Sequence, residues 1–216
     1  GTGSAGTLVS GWGDGGVRTW LYDGTSWAFG VDLQADGNQI KDRTYDMVWM
    51  SGASRLATAS EDWAHARLWS SLTAAKDTQY EYLDKAASED VCPSQYAHCD
   101  AVLALATDSA GNILATGSMD KSIILWTAST KARIATLTSH TNHVNALAWL
   151  HSENKLASGS ADGTIKIWDA TVTADSSTVV QDLTGHSGTV SALVWMESLK
   201  MLAGADSAGN VKLWTC

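Results

Sequence analysis

A short segment that ends in tryptophan recurs five times along this chain of 216 residues. Apolar and polar residues alternate in most copies, as in Ile-Lys-Ile-Trp at positions 165–168, and a two-residue period is typical of a β-strand. Successive tryptophans lie 49, 57, 42 and 46 residues apart, which indicates one supersecondary unit used repeatedly. The five tryptophans are Trp20, Trp69, Trp126, Trp168 and Trp214.

Other strand-like segments accompany each tryptophan at similar distances. A second strand precedes the tryptophan segment, as in KLASGS at 155–160, and a third lies earlier still, as in VNALAWL at 144–150. Four short antiparallel strands in each period are typical of a propeller blade, so the sequence predicts an all-β fold, a β-propeller of four-stranded antiparallel blades. Fourth strands fit at 79–83, 132–138 and 179–184.

Three histidines share one spacing to the tryptophan that follows. His98, His140 and His186 each lie 28 residues before it, and the chain also contains a Gly-His pair at 185–186 and a Trp-Asp pair at 168–169. With the strand repeat, this pattern resembles the WD-repeat β-propeller family over nearly the whole chain. The resemblance implies a single propeller domain over 1–216, with blade units at about 7–33, 44–83, 98–138, 140–184 and 186–216 and an acidic insertion loop at about 84–97.

The resemblance also implies a hydrogen-bonded brace inside each blade. A buried indole N–H needs an acceptor, and a hydroxyl and an imidazole can relay that bond to a carboxylate. The second blade has no histidine at the expected place, and in the fifth blade Gly204 and Ala208 occupy the hydroxyl and carboxylate positions, with Asp206 nearby. We therefore expect weaker bracing in blades 2 and 5 than in blades 3 and 4. The expected brace residues are Ser10, Asp14 and Trp20; Thr58, Asp62 and Trp69; His98, Thr116, Asp120 and Trp126; His140, Ser158, Asp162 and Trp168; and His186 and Trp214.

The set Ser158, His140 and Asp162 also has the residue types of a nucleophile, a base and an orienting carboxylate. Two observations favour the structural role. The same set recurs one blade earlier, and no Gly-x-Ser-x-Gly motif surrounds Ser158. We therefore expect no catalytic residues and no cofactor.

The first and last units are incomplete. The chain starts in the second strand of a blade and ends shortly after Trp214, on a third strand, where the family resemblance implies that an N-terminal strand closes the last blade. We expect these residues to be the C-terminal part of a longer, seven-bladed propeller, with roughly two further blades of about 50 residues each. An open or five-bladed ring whose gap a partner fills is the alternative.

Charge and cysteine content restrict the partners. The net charge of −9 disfavours phosphate backbones and anionic membranes. We therefore expect protein or peptide partners, with basic patches as the chemistry that the charge suggests, no direct nucleic acid and no membrane insertion. Three cysteines, an odd number, and the absence of an Asn-x-Ser/Thr site favour an intracellular setting. For Cys92 and Cys99 free thiols are favoured over a loop-closing disulfide, and a metal site with His98 is least favoured.

The sequence also favours a core position for Trp27.

The predicted function is a non-catalytic WD-repeat scaffold for protein–protein interaction, as a subunit of a multiprotein complex. The alternatives are a secreted propeller lectin or ligand-binding protein and, less favoured, a hydrolase. The acidic loop is either a partner contact or a solvated segment. By resemblance, the partner-binding top face comprises Glu61, Ala101, Met119, His143, Asn145, Ala161, Thr189, Ser191 and Ser207.

Overall fold

The computed structural model describes residues 6–11, 17–23, 25–33, 43–60, 66–70, 80–83, 97–171, 173–176 and 178–215. These residues form five antiparallel sheets, one for each predicted blade. Blade 1 comprises β1 (Gly6–Gly11), β2 (Val17–Tyr22) and β3 (Trp27–Leu33); blade 2 comprises β4 (Thr44–Met50), β5 (Arg55–Ser60), β6 (Ala66–Trp69) and β7 (Tyr80–Tyr82). Blade 3 comprises β8 (Val102–Thr107), β9 (Ile113–Ser118), β10 (Ser122–Thr127) and β11 (Arg133–Thr138). Blade 4 comprises β12 (Val144–Leu150), β13 (Lys155–Ser160), β14 (Ile165–Asp169) and β15 (Gln181–Leu183); blade 5 comprises β16 (Val190–Met196), β17 (Met201–Asp206) and β18 (Val211–Thr215).

The blades repeat in register as well as in strand order. Each tryptophan lies directly opposite a leucine of the preceding strand, as Trp168 lies opposite Leu156. Blades 2 to 4 have four strands in chain order, which agrees with the predicted propeller architecture. Between β12 and β13 the strand pairing shifts between Val144 and Ala146, and the first strands of blades 2, 3 and 5 carry the same irregularity.

Hydrophobic cores lie between neighbouring blades. We call the side of a blade that faces the next blade in the chain its forward face, and the opposite side its backward face. Ile165 and Ile167 on the forward face of blade 4 pack with Val190 and Leu202 of blade 5. The blades approach closely because β13 has a glycine at this point: a Cβ on Gly159 would lie 2.5 Å from Val190 Cγ1.

The two ends of the described arc expose apolar side chains. On the forward face of blade 5, Val211 is 71% exposed, whereas Ile165 at the same position of blade 4 is fully buried. On the backward face of blade 1, Phe29 and Trp27 are each 54% exposed. The expected core position of Trp27 is therefore wrong, because no described blade packs on that face.

One connection crosses from blade 4 to blade 3. The Ser176 backbone pairs with β11: Thr138 N–H donates to the Ser176 carbonyl, and Ser176 N–H donates to the Thr136 carbonyl, both at 2.9 Å. Asp175 Oδ1 also accepts from Thr136 N–H at 2.8 Å. This segment covers the outer edge of blade 3, where an open strand would invite pairing with other chains.

In the described part of the chain there is no helix with the length and apolar character needed to span a membrane.

Candidate functional site

The predicted brace residues of blade 4 form a continuous hydrogen-bonded series. The Trp168 indole donates to Ser158 Oγ at 2.8 Å, Ser158 Oγ lies 2.8 Å from His140 Nε2, and His140 Nδ1 lies 2.8 Å from Asp162 Oδ2. The antiparallel pairing of β13 with β14 brings the serine and the tryptophan together. The tight turn between those strands, with Gly163 at φ +80°, positions the aspartate.

Blade 3 repeats this arrangement with threonine in place of serine. The Trp126 indole donates to Thr116 Oγ1 at 2.9 Å, which lies 2.7 Å from His98 Nε2. His98 Nδ1 lies 2.9 Å from Asp120 Oδ2. The same carboxylate oxygen accepts from the Cys99 backbone N–H at 2.9 Å, so it also fixes the chain that leads into the blade.

The protonation state of His140 sets the direction in which the hydrogen bonds of the blade 4 series run. Burial lowers the pKa of His140, which favours the neutral ring. The indole then donates to the serine, the serine hydroxyl to Nε2, and Nδ1–H to the aspartate. Attack on a substrate would require Ser158 Oγ to be reachable, but Ser158 has no exposed surface and its oxygen already accepts from Trp168.

We expect the brace to make stability depend on pH at acidic values. Burial opposes ionisation of Asp162, but hydrogen bonds from Thr164, Thr141 and His140 lower its pKa from 3.8 to about 2. Because the folded-state pKa lies below the unfolded value, this contribution to stability is present above about pH 4 and is lost as the pH falls through about 2. Urea unfolding midpoints measured across this range should fall less steeply in Asp162→Asn than in the parent chain; equal slopes would contradict this origin.

Blade 5 retains only part of the brace. Asp206 takes the place of the turn carboxylate, with Oδ2 2.8 Å from His186 Nδ1, and hydrogen bonds led by the Asn210 side-chain amide lower its pKa. Gly204 supplies no hydroxyl, and the buried His186 Nε2 has no hydrogen-bond partner among the described residues. A buried polar nitrogen without a partner costs free energy, so we expect this blade to be less well stabilised than blade 4.

In blades 1 and 2 the described part of the brace is the indole bond. Trp20 donates to Ser10 Oγ at 3.2 Å, and Trp69 donates to Thr58 Oγ1 at 3.0 Å. The remaining predicted members lie outside the described residues: they are Asp14 and Asp62.

We expect backbone amides to exchange with solvent more slowly in blades 3 and 4 than in blades 2 and 5. Blades 3 and 4 contain the complete hydrogen-bonded series from tryptophan to aspartate, whereas His186 Nε2 in blade 5 has no partner among the described residues. Native-state hydrogen exchange resolved by strand measures this difference. Faster exchange in β9 than in β17 would contradict the ranking.

Sequence reasoning missed one hydroxyl in each complete brace. Ser122 and Thr164 each stand two residues after the turn aspartate, and each donates to its Oδ1 at 2.6 Å. The spacing Asp-x-Ser/Thr was the available signal, because an aspartate commonly accepts bonds from groups two residues further along a turn.

The top-face residues of three blades occupy equivalent places. In each of these blades the turn before the third strand is hydrogen-bonded to the loop that leads into the first strand. In blade 3 this bond runs from Met119 N–H to the Ala101 carbonyl at 2.9 Å. The corresponding pairs, Ala161 with His143 and Ser207 with Thr189, also measure 2.9 Å. Glu61 lies outside the described residues, and Ala101 is buried, so its side chain adds no exposed surface. Ser191 and Ser207 are exposed, and the half-buried members are Met119, His143, Asn145, Ala161 and Thr189.

Cys99 is disulfide-bonded, which corrects the expectation of a free thiol. Its partner lies outside the described residues, as does 84–96 of the acidic insertion loop. Where the structure describes the chain, no three His, Cys, Asp or Glu side chains are grouped so that they could hold a metal ion.

Comparison with known proteins supports the same architecture. The family model described as WD domain, G-beta repeat, matches residues 91–127, 131–169 and 177–215, which is just over half of the chain. No curated protein matches the chain at a significant level.

Many solved structures resemble this chain, and three of them serve as examples. The computationally designed Ika8 protein is 26% identical with a TM-score of 0.69, and the match covers 97% of this chain and 55% of that one. The computationally designed Ika4 protein is 23% identical with a TM-score of 0.62, covering 86% of this chain and 96% of that one. The WD40 β-propeller domain of Doa1 is 20% identical with a TM-score of 0.73, covering 96% and 60%.

The chain thus spans 55% of the first of these structures and 60% of the third. With five successive propeller blades, a repeated brace and three family-model matches, this chain belongs to the WD-repeat β-propeller family.

Proposed function

We propose that this chain is a non-catalytic protein-interaction scaffold whose binding surface is the top of blades 3, 4 and 5. The observation that carries the proposal is the repeated backbone bond between turn and loop at this end of each blade. It holds exposed and half-buried side chains such as Met119, His143 and Ser207 on a rigid frame. A surface fixed before binding loses little conformational entropy when a partner docks.

The buried position of the Ser-His-Asp sets supports a scaffold over a hydrolase. Ser158 and Thr116 are 0% and 1% exposed, and each oxygen accepts an indole N–H. WD-repeat propellers are generally non-catalytic, which agrees with this assignment.

Charge suggests the chemistry of the partner. The chain carries a net charge of −9, and the exposed Asp100 lies beside the turn-to-loop contact of blade 3. Complementary potentials raise association rates and specificity, so we propose a protein or peptide with basic patches, bound within a multiprotein complex. The same charge disfavours nucleic acid.

The proposal is tested by gentle affinity purification of the tagged chain from its source, followed by mass spectrometry. Ser207→Lys places a cation in the exposed turn of blade 5, and we expect it to weaken capture of a basic partner about ten-fold. Ser109→Lys is the matched control, because this exposed residue lies in a turn at the opposite end of a blade. Equal capture by both variants, or no stoichiometric partner, would contradict the proposed surface.

The disulfide at Cys99 favours one second candidate, a secreted ligand-binding propeller. Disulfides persist mainly in oxidising compartments, whereas the cysteine count and absent glycosylation site favour an intracellular setting. Maleimide labelling of the denatured chain from its source, without reductant, separates the two. The disulfide at Cys99 predicts that fewer than three cysteines react; reaction at all three would show that the bond is not formed in the source and would count against the secreted candidate.

A further inference from the structure

The outer edge of blade 3 carries a short segment of the next blade, residues 173–176, which we call the strap. β11 is the last strand of its sheet among the described residues, and beyond it lies one parallel bridge, between Leu137 and Ser176. Ser176 N–H donates to the Thr136 carbonyl, and Thr138 N–H donates to the Ser176 carbonyl. The strap therefore adds to blade 3 as a fifth strand would, but over a single residue of a six-residue strand.

A carboxylate fixes the register of the strap. Asp175 Oδ1 accepts from the Thr136 backbone N–H at 2.8 Å and also from Arg133 Nη1. The guanidinium is held in place by a further bond, from Arg133 Nη1 to Thr136 Oγ1 at 2.9 Å. Hydrogen bonds between charged groups are stronger than those between neutral ones. The edge thus favours an acidic residue immediately before the residue that pairs with Leu137.

The strap is held by these polar contacts and not by burial of apolar side chains. Thr173, Ala174 and Asp175 are exposed, Ser176 is half-buried, and none of the four belongs to a hydrophobic core of the described residues. Segments with few buried contacts open locally at a small cost in free energy, without unfolding of the whole protein. We therefore expect the strap to leave β11 while blade 3 stays folded.

We propose that the outer edge of β11 is a binding site for an extended acidic segment of a partner protein, and that the strap is a resident occupant which the partner displaces. The partner pairs in parallel with β11 and places an aspartate or glutamate against Arg133 and the Thr136 N–H. Backbone hydrogen bonds provide affinity in strand addition of this kind, and side-chain contacts provide specificity. A segment longer than the strap gains further backbone bonds along β11.

This site is separate from the surface proposed above. It lies on the outer edge of blade 3 and not at the top of the blades, and it selects an acidic segment where the top surface is proposed to bind a basic partner. Either proposal can therefore fail without the other.

Local charge favours an acidic occupant despite the net charge of −9. Interactions between exposed charges more than about 8 Å apart are largely screened at physiological ionic strength, whereas the Arg133 side chain, 23% exposed, touches the bound carboxylate directly. A basic segment would place a cation against this arginine. A second copy of β11 has the sequence Arg-Ile-Ala-Thr-Leu-Thr, which contains no carboxylate. The contacts therefore favour an acidic segment of a different protein.

The first test opens the edge in the full 216-residue chain. Asp175→Lys removes the carboxylate and presents a cation to Arg133. We expect the amides of Thr136 and Thr138 to exchange with solvent about ten-fold faster than in the parent chain. Asp169→Lys is the matched control, because it makes the same charge change in an exposed residue at the start of the same connection, whose carboxylate bonds within its own turn.

The second test supplies the segment as a separate molecule. A synthetic peptide with the sequence of residues 171–178, TVTADSST, is added to the Asp175→Lys chain. At a peptide concentration about ten times its Kd, we expect the same β11 amides to exchange about ten-fold more slowly. The parent chain should bind the peptide about ten-fold more weakly than the variant, because its own strap occupies the site in most molecules.

A charge exchange tests the contact with Arg133. A peptide with Asp175→Lys should bind the opened chain about five-fold more weakly than the parent peptide. An Arg133→Glu chain repels the strap through like charge, and it should prefer the Asp175→Lys peptide over the parent peptide. Circular dichroism and the unfolding midpoint confirm that both chain variants are folded.

Three outcomes would overturn the proposal. They are unchanged exchange at β11 in the Asp175→Lys chain, equal binding of the two peptides to that chain, and protection of β11 without peptide that increases with chain concentration. The first would mean that the carboxylate does not hold the strap, and the second that the edge does not select an acidic segment. The third would mean that a second copy of the chain fills the edge.

Discussion

We expect Ser158→Ala to lower the free energy of unfolding by about 3 kcal/mol. The change removes one oxygen that serves two buried groups, the Trp168 indole N–H and His140 Nε2. Each group left unsatisfied in the interior costs about 1–3 kcal/mol. Urea or thermal unfolding of the purified variant measures the loss.

Ser109→Ala is the matched control, since this serine is exposed, and it should change stability by less than about 0.5 kcal/mol. A Ser158→Ala variant that keeps parental stability but loses a hydrolytic activity would contradict the brace and establish catalysis.

The second large effect is expected at the closest approach between blades. Gly159→Val should destabilise the fold by about 3 kcal/mol, because its Cβ would lie 2.5 Å from Val190 Cγ1 and 3.1 Å from Val190 Cβ. The valine forces blades 4 and 5 apart and disturbs the core that holds Ile165 and Leu202. The unfolding midpoint in urea measures the effect.

Ala205→Val provides the control for this substitution. Ala205 is the equivalent residue of blade 5, since it lies opposite Val211 as Gly159 lies opposite Ile165. No described blade covers that face, so a larger side chain should cost little. Comparable destabilisation by both variants would mean that the penalty arises within the strand and not between blades.

Most of the fold could be predicted because local and long-range signals agree in blades 3 to 5, and the repeat of strands and tryptophans extends to blades 1 and 2. The two-residue alternation predicts strands such as β14. The distance of 28 residues from His140 to Trp168 recurs in the blades on either side, and it indicates which strands belong to one blade. The residues that the spacing assigned to the braces lie in hydrogen-bonded contact in blades 3 and 4, because strand register and one tight turn bring them together.

Features that depend on neighbouring chain segments could not be predicted in the same way. Trp27 has the large apolar side chain of a core residue, but its exposure depends on whether another blade packs against the backward face of blade 1. Residues 173–176 lie along β11 through a parallel bridge between Ser176 and Leu137, and no pattern in the sequence predicts this bridge. Asp206 shows the intermediate case: its carboxylate reaches His186 from a position two residues before the expected one.

The most direct test of the scaffold assignment is hydrogen exchange of the chain with and without the captured partner. We expect protection at the top of blades 3 to 5, around Met119, Ala161 and Ser207, with little change in the turns at the opposite end near Ser109. Protection confined to that opposite end, or no protection anywhere, would contradict the account.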